Sequence, residues 1–259
     1  MKRVETGYEG KFDFPHRSGP PVRPYLLASV PRSGSTYLSH VLWRTGCLGA
    51  PLEYLNFEPA GPYGFAHQSP RDQTRLWQAA LRGRTSPNGV FGLKGFPMQF
   101  EALRSGNPQL LREVMRTVIP SRAESSIVML RRRDKTAHAI SYARALLSGI
   151  WRKEQEAAGR AEPEYSQIAF ERAGRMIDGQ EVAWAAMFAD LGIAPLELWY
   201  EDVVADPDGA AAAVAAHLGV ALYPGAAVVI PEIERQSQDG AQAWAERHAA
   251  SKNVTPPNA

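Results

Sequence analysis

The run from Tyr25 to Leu38, Tyr-Leu-Leu-Ala-Ser-Val-Pro-Arg-Ser-Gly-Ser-Thr-Tyr-Leu, constrains the fold more than any other stretch. Tyr25–Val30 is a short apolar run of strand length. A turn of small and polar residues follows, and from Thr36 onward Leu38, Val41 and Leu42 recur at helix spacing. A strand that feeds a helix through a tight small-residue loop makes an anion cradle. Free backbone N–H groups and the positive end of the helix dipole converge there. Gly34 permits close approach of the backbone, Ser33, Ser35 and Thr36 add hydroxyls, and Arg32 adds a fixed positive charge.

The loop is not a Walker A sequence, because no lysine follows Gly34 and Arg32 precedes Ser33. An ordinary nucleotide triphosphatase is therefore disfavoured. A second basic site comes later. The strand-like run Ser126–Leu130 ends in Arg131-Arg132-Arg133-Asp134 and opens a helix that carries Ser141. Arg132 and Ser141 thus belong to the carboxyl end of a strand, where open α/β sheets bind ligands. Two anion sites of this kind suit a nucleotide phosphorylated at both ends of its ribose.

Strand and helix patterns alternate along the chain, which predicts an α/β fold with a P-loop-like parallel sheet flanked by helices on both sides. Strands are expected at Tyr25–Val30, Gly89–Gly95, Ser126–Leu130 and Leu196–Tyr200. Helices are expected at Thr36–Arg44, Asp72–Leu81, Pro108–Val118, Lys135–Ser148, Tyr165–Leu191, Asp208–Leu218 and Ala241–Ala250. Residues 1–24 read as an N-terminal arm or disordered lead, 25–250 as the domain and 251–259 as a loose tail. The charged stretch Trp151–Glu164 reads as a mobile surface link.

Composition sets limits on function. A net charge of +2 argues against a nucleic-acid partner. The single Cys47 excludes an internal disulfide and fits a reducing compartment. Met1–Gly10 has no apolar core of a secretion signal. His217, Gly219 and Pro224-Gly225 interrupt the Ala-rich run from Gly209 to Ile230, so no membrane span is expected. These features predict a cytoplasmic enzyme, and no His, Cys or Asp spacing suggests a metal site.

The chain resembles the sulfotransferases that use 3′-phosphoadenosine 5′-phosphosulfate (PAPS), and among them the bacterial trehalose 2-sulfotransferase family. Pro31-Arg-Ser-Gly-Ser-Thr36 is similar to their 5′-phosphosulfate loop, and Arg132 with Ser141 to their 3′-phosphate site. Gly46–Tyr54, Asn88–Lys94, Ala139–Ala145 and Glu234–Gln236 follow in the family's order, so the likeness runs from about Tyr25 to about Arg247. The resemblance implies sulfuryl transfer from PAPS, without a metal, to a hydroxyl of a small acceptor such as a sugar or glycolipid precursor. The leaving product is 3′,5′-bisphosphoadenosine. A homodimer is implied by the resemblance alone.

Residue roles carry over in the same way. Gly49-Ala-Pro-Leu-Glu-Tyr54 fits the family stretch whose glutamate is the proposed proton acceptor, which makes Glu53 the base, with Glu58 as its rival in the loop. Lys94, closing an apolar strand, is the candidate cation for the bridging oxygen or the sulfate. Arg235 and Gln236 match a third nucleotide-contacting stretch. Pro31, Ala50, Pro51, Leu52, Tyr54, Phe57 and Tyr63 are expected to line the acceptor site, the aromatic rings as a wall for a sugar. The family has a glutamine at Pro31 and a carboxylate at Ala50. Both changes remove polar contacts to a disaccharide, so the resemblance speaks for the donor more strongly than for trehalose. A kinase with an atypical loop and a non-catalytic nucleotide-binding protein are the alternatives.

Overall fold

In the computed structural model the described residues are 5–121, 126–151, 162–223, 228–232 and 239–253. They fall into two compact units, one of Met1–Arg131 and Gln180–Pro231, the other of Arg132–Gly179 and Glu232–Ala259.

The first unit is built on four parallel strands, β1 (Arg23–Ala28), β2 (Val90–Gly95), β3 (Ser126–Arg131) and β4 (Leu196–Trp199), in the order β2-β1-β3-β4. Side chains of β1 alternate between two apolar layers. Leu26 and Ala28 join Phe91, Leu93, Ile127 and Met129 on one face; Tyr25 and Leu27 join Val90, Val128 and Leu130 on the other. Burial on both faces explains why the strand reads as a continuous apolar run rather than an alternating one.

The first face is covered by α2 (Pro70–Arg84), α3 (Pro97–Gly106), α4 (Pro108–Val118) and the end of α6 (Gln167–Leu191), through Trp77, Phe100, Val114, Trp184 and Phe188. The second is covered by α1 (Ser35–Arg44), α7 (Tyr200–Ala205) and α8 (Pro207–Leu218), through Leu38, Leu42, Val203, Val214 and Leu218. Helix starts follow their caps. Ser69, Asn107 and Asp206 each accept a first-turn N–H and each precedes a proline at the first helical position.

The second unit holds α5 (Lys135–Ser148), the beginning of α6 and α9 (Asp239–Asn253). Asp134 caps α5 by accepting the Ala137 N–H at 2.8 Å. Trp244 Nε1 donates to Pro163 O at 2.9 Å, and Arg144 pairs with Glu162.

Two sequence expectations are corrected. Within the expected arm of residues 1–24, residues 7–14 are packed: Phe12 and Phe14 are buried in the core, and the Arg84 guanidinium donates to the carbonyls of Gly7, Glu9 and Phe12. The tail begins later than expected, because α9 runs to Asn253. Most of the expected mobile link, residues 152–161, lies outside the described residues.

Candidate active site

β1 is the point where the chain reverses its direction across the sheet, since β2 pairs on one side of it and β3 on the other. The crevice beyond the carboxyl end of such a strand is the general ligand site of open α/β sheets. Pro31–Gly34 occupies it. Arg32 has φ 69°, the one non-glycine residue with positive φ among the described residues, and Gly34 has φ 90°. Both residues thus sit in the left-handed region, and between them the Ser33 N–H closes the turn on Val30 O at 3.1 Å. At Gly34 an added Cβ would lie 2.1 Å from Tyr200 Cδ2, so the position requires glycine for space as well as for φ.

The helix that follows is left for an anion to cap. Gly34 is its N-cap and offers no side-chain acceptor, and its first turn carries no acidic residue. Ser33 is 1% exposed, and its Oγ has no hydrogen-bond partner among the described residues. A buried hydroxyl without a partner costs about 1–3 kcal/mol. An oxygen of an anion bound at the loop would satisfy it, so the residues fit an anionic ligand. Ser35 is buried and Thr36 exposed.

Lys94 reaches this loop because of strand alternation. Phe91 and Leu93 of β2 face one apolar layer, which sends Lys94 to the face covered by α1. There its Nζ donates to Thr36 Oγ1 at 3.1 Å, in the first turn of α1. Lys94 is 2% exposed and needs a counter-charge. Glu53 supplies it, with Oε1 at 3.0 Å from Nζ.

Glu53 is delivered by a one-residue extension of the sheet. Leu52 forms a parallel bridge with Leu93, and Lys94 N donates to Leu52 O at 3.1 Å. Two glycines admit this loop to the edge of β2. A Cβ on Gly49 would lie 3.0 Å from Val90 O and one on Gly92 2.7 Å from Pro51 Cβ. The second carboxylate oxygen of Glu53 accepts from Asn56 Nδ2 at 2.8 Å. Its backbone N–H donates to Tyr8 Oη at 3.1 Å. Glu53, Lys94 and Thr36 are therefore one connected group, the base candidate joined to the anion loop through a buried ammonium. Glu58 is exposed, in a turn closed by Gly61 N–H to its carbonyl at 2.7 Å.

Most of the residues expected to line the acceptor site are buried. Tyr54 is wholly buried: its ring stacks on Phe91 at 5.7 Å, its hydroxyl donates to Ala50 O, and burial pushes its pKa up. Ala50, Pro51, Leu52 and Phe57 are also core residues, and Pro31 is buried beneath the loop. From the N-terminal segment Tyr8 packs edge-on against Tyr54 and Tyr63. Tyr63 is half-buried with its hydroxyl pushed up to about 12 by burial, and it alone of the three expected rings keeps accessible surface of that size.

In the second unit Arg132, directly after β3, and Ser141, in the second turn of α5, are half-buried. Arg133 is exposed. Arg131 closes β3 and pairs with Glu197 at 3.2 Å and Glu181 at 3.8 Å. Arg235 and Gln236 lie outside the described residues. Sequence reasoning missed Tyr8 and Asn56. No local pattern marks either, since Tyr8 contacts a residue 45 positions away.

The family model of the Stf0 sulphotransferases matches residues 24–251. The chain belongs to the Stf0 sulphotransferase family. It is 31% identical over 265 residues to the trehalose 2-sulfotransferase of Mycobacterium tuberculosis (strain ATCC 35801 / TMC 107 / Erdman), across 88% of this chain and 95% of the relative. With the trehalose 2-sulfotransferase of Mycolicibacterium smegmatis (strain ATCC 700084 / mc(2)155) it shares 26% identity over 258 residues, 86% of this chain and 93% of the other. Among solved structures, the sulfotransferase domain of the Synechococcus PCC 7002 olefin synthase superposes with a TM-score of 0.46 at 16% identity, over 95% of this chain and 93% of that one. No helix among the described residues is long and apolar enough to cross a membrane.

Proposed function

We propose that this sulfotransferase moves the sulfuryl group of PAPS to a hydroxyl of a small carbohydrate-containing acceptor, with Glu53 as general base. The observation that carries the reading is the Lys94 ammonium, 3.1 Å from Thr36 Oγ1 on the anion loop and 3.0 Å from Glu53 Oε1.

The donor supplies the sulfuryl group and departs as 3′,5′-bisphosphoadenosine. Arg32, the unpartnered Ser33 hydroxyl and the N–H groups of Gly34, Ser35 and Thr36 hold its 5′ end. Arg132 and Ser141 keep the role of reading the 3′-phosphate that the family likeness gives them, as do Arg235 and Gln236 a nucleotide contact. Glu53 accepts the acceptor's hydroxyl proton while that oxygen bonds to sulfur and the bond from sulfur to the phosphate oxygen breaks. Lys94 sits beside both partners of this exchange. It offsets charge as it develops and keeps the Glu53 carboxylate aimed at the loop. Positioning and charge neutralisation of this kind dominate catalysis of the related phosphoryl transfers.

The acceptor class rests on the two relatives named for trehalose, tempered by Pro31 and Ala50, which offer no side-chain hydrogen bonds to a disaccharide. A homodimer in the cytoplasm is part of the same proposal, and sedimentation at micromolar concentration tests the mass. The reading itself is tested by thermal shift with PAPS and with ATP-magnesium in parallel, then by a screen of sugars and glycolipids with radiolabelled PAPS. Stabilisation by PAPS that survives EDTA, together with label on a carbohydrate, supports it. Stabilisation by ATP-magnesium alone would overturn it in favour of a kinase.

A further inference from the structure

Residues 5–14 precede the stretch matched by the family model, which begins at residue 24. They are nevertheless fastened to the site. The buried Arg84 guanidinium collects them: Nη1 donates to Gly7 O at 2.9 Å and Phe12 O at 3.3 Å, and Nη2 to Glu9 O at 3.0 Å. Nε pairs with Asp13 Oδ1 at 2.9 Å. Glu9 ties the turn before it, accepting the N–H groups of Thr6 at 2.9 Å and Gly7 at 2.8 Å. A Cβ on Gly7, whose φ is 87°, would lie 3.8 Å from Leu52 Cδ1 and 3.4 Å from Trp43 Cζ3, so this turn packs directly on the loop that delivers Glu53.

Tyr8 is the residue this anchoring presents to that loop. Its ring sits edge-on to Tyr63 at 5.2 Å and to Tyr54 at 6.4 Å, and its hydroxyl oxygen accepts the Glu53 N–H at 3.1 Å. Phe57 N–H bonds within the loop to Leu55 O at 3.2 Å. Tyr54 N–H bonds to Leu52 O and Asn56 N–H to Glu53 O, whereas the Glu53 N–H turns outward to Tyr8. A donor on this backbone, fixed by an aromatic held on two sides, determines where the Glu53 side chain starts.

We infer that the N-terminal segment is a brace for the catalytic loop and that Tyr8 is a positioning residue for Glu53. The inference rests on Glu53 being the base, but its physical content is separate. Tyr8 fixes the backbone of residues 53–56, and through it the carboxylate's place beside Lys94. A positional shift of this size affects turnover more than donor binding, since Arg32, Ser33 and the loop N–H groups do not depend on residue 8.

The test is Tyr8→Phe, which removes one oxygen and keeps the ring packing. Amide hydrogen exchange of the whole chain is compared with that of the wild type, and turnover is measured with PAPS and trehalose. Exchange at Glu53 should accelerate by about three- to tenfold, the loss expected for one hydrogen bond, with the β1 and β3 amides unchanged. In the same variant kcat should fall by a similar factor at unchanged KM for PAPS. Unchanged exchange at Glu53, or an acceleration spread evenly over the sheet, would overturn the brace even where trehalose proves a poor acceptor. Glu53→Gln separates the two ideas. Full turnover in Glu53→Gln sinks the base assignment and leaves the exchange result standing. A dead Glu53→Gln beside a Tyr8→Phe of wild-type exchange and kcat sinks the brace alone.

Discussion

The ammonium of Lys94 and the carboxylate of Glu53 form a buried ion pair at 3.0 Å, joining the edge strand β2 to the loop that bridges beside it. Each charge is tolerable there because of the other. Breaking such a pair from one side leaves an uncompensated charge, whereas exchanging both partners for apolar groups often costs little.

Lys94→Met is therefore expected to destabilise the fold by about 3 kcal/mol, moderated by the bond that Asn56 keeps to Glu53. For a chain of this size that lowers the melting temperature by roughly 6–12 °C. Adding Glu53→Leu should restore much of the loss. Chemical denaturation of the single and double variants measures it, and a double variant no better than the single one contradicts the pairing argument.

Glu53→Gln keeps the shape and an oxygen for the Lys94 ammonium, turns the oxygen that accepts from Asn56 Nδ2 into a donor, and cannot take a proton at neutral pH. Turnover should drop by ~10²–10⁴-fold while PAPS affinity, read by calorimetry, stays within a few-fold of wild type. Glu58→Gln, on an exposed turn, should retain most activity.

Much of this arrangement is legible in the sequence. The change of period at Ser35–Thr36 marks the anion loop, and the apolar run with one lysine marks β2 and Lys94. Proline and Asx caps place the starts of α4 and α5 to the residue. Legibility fails where structure depends on distant partners. The helix Pro97–Gly106 was not expected, although Pro97 at its first position and Gln99, whose Oε1 accepts the Phe96 N–H at 3.1 Å, are local signals for it. Tyr200 reads as a strand end but opens α7 and packs over Gly34. Tyr54 and Phe57 read as a sugar wall because nothing local reveals that both are buried, Tyr54 between Tyr8 and Phe91.

Ser33→Ala is expected to act with opposite signs on stability and binding. The hydroxyl has no partner among the described residues, so its removal should leave the free protein as stable or slightly more so. Donor binding should weaken by about 1.5–3 kcal/mol, the range for hydrogen bonds to charged groups. Thermal melts with and without 3′,5′-bisphosphoadenosine give both numbers. Equal stability and equal affinity would remove Ser33 from the donor site.

For Arg132→Ala the informative quantity is a difference. PAPS binding should lose roughly 2–5 kcal/mol, and adenosine 5′-phosphosulfate, which lacks the 3′-phosphate, much less. Equal losses for the two ligands would show that Arg132 does not read that phosphate.

Acid should loosen the N-terminal turn early. Burial alone would raise the Glu9 pKa, but the hydrogen bonds from Thr6 and Gly7 prevail and hold it below the ordinary 4.5. A carboxylate lowered on folding adds stability above its unfolded value, and that stability disappears as pH falls through the folded one. Below about pH 4.5, exchange at residues 6–9 should rise ahead of the sheet, and Glu9→Gln should abolish that pH dependence. A pH-independent profile in the wild type is the contrary result.

The Arg84 cluster bears on where this protein can be cut. A chain trimmed to the family match, residues 24–251, would retain each recognised motif and still lose four oxygen partners of one interior guanidinium. It would also uncover the indole of Trp43, against which Phe12 packs at 6.0 Å. The family match begins at residue 24, whereas the partners that hold the buried Arg84 begin at Gly7, so a cut between the two borders removes part of the interior.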